Sequence, residues 1–370
     1  MSQFMLSIMQ GQRRDIIACL VIALLMPLTL LYALGVFCHR LFYRFKGVYK
    51  APLPVISIGN ITVGGTGKTP LVVWVAQVLK DKGLKSVVLT RGHMPQEGQL
   101  SDEALMMTEQ LPDVPVLSGA DRIKNIKNNS LSSNVYILDD GFQHWKIQRD
   151  LNILLINAAN PFGNGHLLPA GILREGLGAL KRADVIVLTK TDQAGDIKAL
   201  YNKIHQINPS VLVIESCYQQ PQIVDVFSRE LVKKLPLTPS LKKEGGFIGK
   251  SSFSKIGRKG ISYGTVLAFC AIADPASFEF QLRKVFIAHD IQIFNFMDHH
   301  VYTKEDVLKI TESARDNNIA TLVTTHKDAV KLYQFKDIFK GFRLVYISAP
   351  IEITKGSHEF VQKINSICSY

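Results

Sequence analysis

The chain has little cysteine: five residues in 370, Cys19, Cys38, Cys217, Cys270 and Cys368, with no CxxC pair among them. No histidine cluster stands at zinc spacing either. A disulfide framework and a structural zinc are thereby excluded as the basis of the fold, and a reducing cytoplasmic setting fits best. Internal repeats and low-complexity tracts are also missing, which argues against solenoids and arrays. Charged residues make up only 20% of the chain and are unbalanced, with 43 Lys and Arg against 31 Asp and Glu for a formal net charge of +12. Such an excess favours an anionic partner: a nucleic acid, a nucleotide or an acidic membrane surface. Composition does not choose among them. At 47% apolar the chain reads as globular, and its length suits roughly two domains of about 100–200 residues each.

One stretch departs from globular composition. Ile16 to Cys38, IIACLVIALLMPLTLLYALGVFC, carries no charge and exceeds the roughly 20 residues needed to cross a hydrocarbon core. The following run HRLFYRFKGVYK does not suit a cleaved signal peptide, so residues 1–50 are expected to form an N-terminal membrane anchor helix with a basic flank. Arg40, Arg44, Lys46 and Lys50 after the segment outweigh Arg13 and Arg14 before it, which places the main body in the cytoplasm. Two other readings stay open: a buried core helix, and a helix lying flat in the interface with Pro27 as a kink.

From Pro54 onward, short β-branched runs (VISIG, SVVLT, VYILDD, LNILLINA, DVIVLTK, VLVIES) alternate with helix-like stretches such as PLVVWVAQVLKDKG. Continuous apolar strands between amphipathic helices predict an α/β core with a parallel sheet covered on both faces. We assign 51–225 to this core and 226–260 to a basic linker or insertion. That linker holds Arg229, Lys233, Lys234, Lys242, Lys243, Lys250, Lys255, Arg258 and Lys259 among Pro, Gly and Ser. It reads as a solvated loop or a contact with anionic lipid headgroups. Residues 261–370 resume the rhythm and are expected to form a second, smaller α/β domain.

Residues 55–70, VISIGNITVGGTGKTP, pose the functional question. The strict phosphate-loop pattern GxxxxGK[ST] wants a glycine where Thr62 stands. The remaining parts of a phosphate cradle are present: a strand, a turn of Gly64, Gly65, Thr66 and Gly67, then a helix that opens on Lys68, Thr69 and Pro70. Backbone N–H groups of such a turn converge on an anion at the helix N-terminus, Lys68 would meet the β- and γ-phosphates, and the Thr69 hydroxyl would meet Mg²⁺. The loop therefore reads as a modified nucleotide site in a P-loop NTPase-like sheet. A Mg²⁺-triphosphate site also wants a carboxylate at the end of a neighbouring strand. VYILDDGFQH offers Asp139 and Asp140, one of which is expected to hold the metal.

Three further stretches have local explanations as well as chemical ones. In RGHMPQEGQLSDEA, Asp102 suits a helix cap; in LLPAGILREGL, Arg174 suits a surface ion pair; in FMDHHVYT, His299 suits a helix start. Phosphoryl transfer, however, needs a group that accepts a hydroxyl proton and cations that meet developing charge.

Taken in order, GNITVGGTGKTP, LTRG, SDEA, LDDGFQH, LLPAGILRE, DHHVYT and TTHKDAVKL resemble the tetraacyldisaccharide 4'-kinase family of lipid A biosynthesis, from about Leu53 to Leu332. The resemblance implies ATP and Mg²⁺ as cofactors and a lipid-linked disaccharide 1-phosphate as acceptor. It further implies work at the anionic, cytoplasmic face of a Gram-negative inner membrane. Carried onto this sequence, it makes Lys68 and Thr69 the phosphate and metal residues and Asp139 and Asp140 the acidic edge. It pairs Asp102 with His299 as proton acceptor, and it places Arg174 and Glu175 by the γ-phosphate and the metal. The chain departs from the family pattern at His93 and Met94, at Ser101 and Ala104 around Asp102, at His326, and in AFCAIADPASF. These bear on the shape of the acceptor site rather than on phosphoryl transfer. A membrane-associated GTPase is the rival, because DVIVLTKTD sets Lys190 and Asp192 like a guanine-reading TKxD element. Nucleic acid is not an expected partner, since the basic linker lacks the interleaved aromatics of a stacking platform.

Overall fold

The computed structural model describes residues 3–92, 101–129, 132–232, 265–287 and 289–368. His93, Met94 and the linker cations from Lys233 to Lys259 lie outside the described residues. The chain forms two compact units, one of residues 1–219 together with 350–370, the other of residues 220–349.

The first unit opens with helices α1 (Gln3–Met9) and α2 (Ile16–Lys46). It then alternates β1 (Val55–Asn60), α3 (Lys68–Asp81), β2 (Ser86–Thr90), α4 (Asp102–Gln110), β3 (Val116–Ser118), α5 (Arg122–Asn128) and β4 (Val135–Asp139). β5 (Leu151–Asn157), β6 (Val185–Thr189), α6 (Ile197–Ile207) and β7 (Leu212–Tyr218) complete the run. The second unit holds β8 (Gln222–Asp225), β9 (Val266–Cys270), α7 (Pro275–Val285), β10 (Ile291–Asn295), α8 (Lys304–Asp316), β11 (Thr321–Thr325), α9 (His326–Leu332) and β12 (Arg343–Ser348). The chain ends with β13 (Ile351–Lys355) and α10 (Ser357–Ser366).

Among the described residues the first unit's sheet runs β13-β7-β6-β5-β1-β4-β2-β3, parallel except for the antiparallel edge strand β13. Its strands are apolar on both faces because helices cover both. Along β5 and β6, Ile153, Leu155, Val185 and Val187 join α3 and α10 on one side. Leu154, Ile156, Ile186 and Leu188 meet Leu200 and Ile204 of α6 on the other. This is the period-2 alternation of a strand whose two faces are both core. The second unit's sheet runs β10-β9-β11-β12-β8, parallel except at β8. On one face Phe269, Leu322 and Leu344 pack against Val307 and Ile310 of α8 and Leu332 of α9.

The boundaries differ from those read in the sequence. β8 joins the second sheet, so the first unit's opening segment ends at Gln219 rather than Asp225. The last residues return to the first unit: β13 pairs with β7, and Phe360 of α10 stacks on Trp74 of α3 at 5.1 Å between ring centroids. Residues 1–50 likewise belong to the first unit. Truncating the fully buried Phe360 removes an aromatic from a packed core. Phe360→Ala should cost about 3–5 kcal/mol and lower the first unit's melting temperature by about 10 °C, measured by thermal unfolding in detergent.

Candidate active site

β1 lies between β5 and β4, and its Ile58 is level with Asp139. Because these strands are parallel, the loop after β1 and the acidic end of β4 emerge together at the carboxyl edge of the sheet, where open α/β sheets bind ligands. Gly59 keeps that edge compact, since a Cβ there would come within 2.7 Å of the Phe142 backbone nitrogen.

The loop explains its missing glycine. Thr62 forms an isolated antiparallel bridge with Leu173. The Val63 N–H donates to the Ile172 carbonyl at 2.8 Å and the Arg174 N–H to the Ile61 carbonyl at 2.7 Å. Residues 61–63 thus run as a short strand against the strap that carries Arg174, and such a position tolerates a side chain. The turn comes later, at Gly64 (φ 117°) and Gly67 (φ 84°), where left-handed backbone favours glycine. Gly67 starts α3 without a side-chain cap, leaving first-turn N–H groups to an anion.

The TKTD segment has a use in the structure. The Thr189 hydroxyl donates to the Thr66 carbonyl at 3.0 Å, and Lys190 Nζ donates to the Gly65 carbonyl at 3.3 Å. Both residues are buried. The segment braces the loop from beneath, which accounts for Thr189 and Lys190 without a guanine base.

Above the loop, Asp140 draws two cations together. Lys68 Nζ lies 3.7 Å from its Oδ1, while Arg174 Nη1 donates to both carboxylate oxygens at 3.2 and 3.1 Å. Lys68 Nζ also donates to Asn60 Oδ1 at 3.4 Å. Burial works against ionisation of Asp140, yet Lys68 and Arg174 outweigh it and hold the carboxyl below its ordinary range. Asp139 is the opposite case: burial, reinforced by the adjacent Asp140 charge, pushes it up to about 6. Its Oδ2 accepts from the Thr90 hydroxyl at 3.1 Å, and its backbone carbonyl accepts from the buried Arg122 at 2.6 Å. Asp139 Oδ1 and the Thr66 hydroxyl are buried with no partner.

Glu175 is held on both oxygens. Arg182 grips both of its oxygens, at 2.8 and 2.9 Å, and Gln143 Nε2 donates to Oε1 at 3.1 Å. The Arg182 guanidinium is itself held over the rings of Phe142 and Trp145, 4.5 and 4.4 Å from their centroids. Glu175 and Asp140 are thus each paired with a guanidinium, Glu175 with Arg182 and Asp140 with Arg174. Among the described residues no group of three or more His, Cys, Asp or Glu is arranged to hold a metal. An ion that keeps waters and phosphate oxygens beside one or two carboxylates, as Mg²⁺ does, suits such a site. The unpartnered Asp139 oxygen beside Asp140 fits that ion.

Asp102 is the first residue of α4, and its neighbour Ser101 provides the cap by accepting from the Ala104 N–H at 3.3 Å. His299 belongs to the second unit, in left-handed backbone (φ 60°), with Lys327 Nζ 3.3 Å from its Nε2. His300 is instead bonded to Asp306 at 2.9 Å and stacked on Phe296. The structure therefore gathers Lys68, Asp139, Asp140 and Arg174 into one cluster, with Thr69 in the first turn of α3. Asp102 and His299 fall in different units. Asn60, Arg122, Gln143 and Arg182 were not anticipated. The GFQH motif marked Gln143, but nothing local marked Arg122 or Arg182.

The chain is similar to known proteins over most of its length. The tetraacyldisaccharide-1-P 4'-kinase family model matches residues 21–369. A tetraacyldisaccharide 4'-kinase of Halothermothrix orenii is 32% identical, covering 99% of this chain and 97% of its own. Another, from Geobacter metallireducens, is 35% identical over 85% of this chain and 89% of its own. The crystal structure of LpxK from Aquifex aeolicus in complex with ATP superposes with a TM-score of 0.65 at 26% identity, covering 94% of this chain and 99% of that one.

The raised Asp139 carboxyl has a consequence for stability. A group that binds its proton more tightly when folded adds stability below its unfolded value of 3.8 and loses it as pH rises through about 6. At pH ~7.5 the ionised Asp139 thus carries a penalty on the order of 3 kcal/mol. Asp139→Asn should melt at higher temperature than the unliganded wild type there, with the gain shrinking towards pH ~5. A pH-independent gain, measured by thermal unfolding, would contradict the assignment.

Proposed function

The chain belongs to the tetraacyldisaccharide-1-P 4'-kinase family, and from that membership we propose that it transfers the γ-phosphate of ATP to the 4'-hydroxyl of a tetraacyldisaccharide 1-phosphate. The observation that carries this reading is the joint hold of Lys68 and Arg174 on Asp140 beside the glycine turn. Two cations fixed in advance at the mouth of a phosphate loop stabilise charge that spreads over a transferring phosphoryl group, with little reorganisation during the reaction. Mg²⁺, when bound, would neutralise further phosphate charge, and Thr69, Asp139, Asp140 and Glu175 are the residues that would hold it. Gly64, Gly65, Thr66 and Gly67 would receive the phosphates on backbone N–H groups.

Asp102 and His299 act in this proposal as the pair that accepts the sugar hydroxyl proton. A neutral imidazole oriented by a carboxylate does this near neutral pH, where an isolated aspartate is a weak base. The exposed apolar face of α2 and the excess positive charge support work at the cytoplasmic face of a bacterial inner membrane. The substrate's acyl chains would stay in lipid while its sugars reach the site.

Transfer of labelled γ-phosphate from ATP to a tetraacyl disaccharide 1-phosphate in detergent micelles tests the reading. Lys68→Ala should lower kcat by about 10²–10³-fold, and Asp102→Ala by about 10²–10⁴-fold. Absence of a phosphorylated lipid from the wild type, with GTP hydrolysed in preference to ATP, would overturn it. Mg²⁺ titration tests the acids: Asp140→Asn and Glu175→Gln should each raise the Mg²⁺ concentration needed for half-maximal rate, and Glu175→Gln should also lower thermal stability through the lost Arg182 pair.

A further inference from the structure

The second unit holds a buried ion pair that the phosphoryl-transfer reading leaves without a task. Asp328 and Lys331 stand about one turn apart on α9, with Lys331 Nζ 3.3 Å from Asp328 Oδ1. The Asp328 side chain is fully buried and that of Lys331 is only 10% exposed. Such a pair gives up the hydration of two charges and adds little net stability compared with an apolar replacement. Its value then lies in what else the two groups hold.

Asp328 turns its second oxygen towards the chain on either side of it. Oδ2 accepts from the hydroxyl of Thr325, the cap of α9, at 2.7 Å, and from the Ala271 N–H, directly after β9, at 3.0 Å. The Ala271 carbonyl in turn accepts from the His299 N–H at 3.3 Å. Lys331 works on the other side of the same histidine, since its Nζ donates to the His300 carbonyl at 3.2 Å. The carboxylate thus grips the strand end that receives His299, and the ammonium grips the backbone that leaves it. One ion pair holds both ends of the turn.

His299 needs that support. Its backbone is left-handed at φ 60°, a conformation that a residue with a Cβ keeps only where its surroundings fix it. The ring itself stands 45% exposed, with Asp298 Oδ2 3.8 Å and Lys327 Nζ 3.3 Å from its Nε2. Contacts at that exposure restrain a side chain weakly, so the placement of the imidazole depends on the backbone beneath it. The next residue is fixed as well. The His300 ring is stacked on Phe296 at 4.8 Å, stands edge-on to the buried Tyr302 at 5.5 Å, and is bonded through Nε2 to Asp306. Lys331 Nζ lies 5.8 Å from the centre of the same Tyr302 ring.

We infer that Asp328 and Lys331 are positioning residues for phosphoryl transfer, acting through the backbone of the His299–His300 turn to set where the imidazole stands. The inference rests on the reading of His299 as part of the proton acceptor and adds the two groups that aim it. A reacting group displaced by about 1 Å can lose about 10²-fold in rate, so a loosened turn appears in kcat. The affinity for ATP, which the glycine loop of the first unit would receive, stays as it was.

Phosphotransfer by the full-length chain is measured for Lys331→Met, for His299→Ala and for the two together. Removing the ammonium leaves Asp328 buried and unpaired, so a second variant, Asp328→Asn with Lys331→Met, takes away both charges at once. It is tested in the same two backgrounds, and thermal unfolding shows whether each protein is folded. With His299 present, kcat should fall about 10–10²-fold at an unchanged KM for ATP. Once His299 is alanine, the same substitutions should lower kcat by no more than about twofold further, because groups that act through one histidine have nothing left to aim. A loss by the same factor in both backgrounds, or a folded variant with the wild-type kcat, overturns this inference alone if His299→Ala is itself slow. A wild-type kcat in His299→Ala overturns the proton-acceptor reading and this inference with it. Failure of both charge variants to fold also overturns the inference, since the pair would then hold the unit together rather than aim the turn.

Discussion

One carboxylate organises the candidate site. Asp140 sits in left-handed backbone at φ 46°, directly after β4. The residue that follows must be glycine, because a Cβ on Gly141 would meet the Ser57 hydroxyl at 2.6 Å and Leu138 at 2.8 Å. From this turn the Asp140 side chain reaches Lys68, at the head of α3, and Arg174, on the strap. Two cations held this close would repel each other without it. The neighbouring Asp139 bears the cost: with Asp140 ionised beside it, burial keeps its carboxyl up at about 6. Two adjacent acids driven to opposite sides of their common reference value are what a polyanion–metal site can use, one firmly charged and the other ionised at a cost that an arriving cation would relieve.

Around this carboxylate the polar groups are tied to one another. Arg174 donates through its backbone to Ile61 and through its side chain to Asp140, so the strap is fixed at both the loop and the acid. The next residue, Glu175, anchors the strap to Arg182, and Gln143 links Glu175 to the Asn60 carbonyl. Asn60 in turn accepts from Lys68 and holds the Thr62 carbonyl. The direction of Lys68 is therefore set by residues that would never touch a phosphate. Preorganisation of this kind lets a fixed charge act without a reorganisation cost.

What was legible in the sequence follows from how local each feature is. Strand, glycine turn and helix are consecutive, so the cradle could be read from residues 55–70 even with Thr62 in the wrong place. Why Thr62 is allowed could not be read, because its partner Leu173 lies more than a hundred positions away. The same limit hid the domain boundary: β13 follows the second unit in sequence but pairs with β7 of the first, and no periodicity reveals which of two sheets an edge strand will join. Arg182 was missed for a related reason: only the fold brings its ring-supported guanidinium onto Glu175.

The apolar segment is the sharpest case, since the hydropathy of α2 carries no sign of the polar contacts along its buried stripe. Thr and Tyr are tolerated inside spanning helices, so Thr29 and Tyr32 gave no sign as letters of the strap they bind. That strap serves two neighbours at once. Its Arg174 side chain holds Asp140 at the phosphate loop while its backbone carbonyl is held by α2. The strap therefore ties the position of α2 to that of the phosphate loop through a single residue, Arg174.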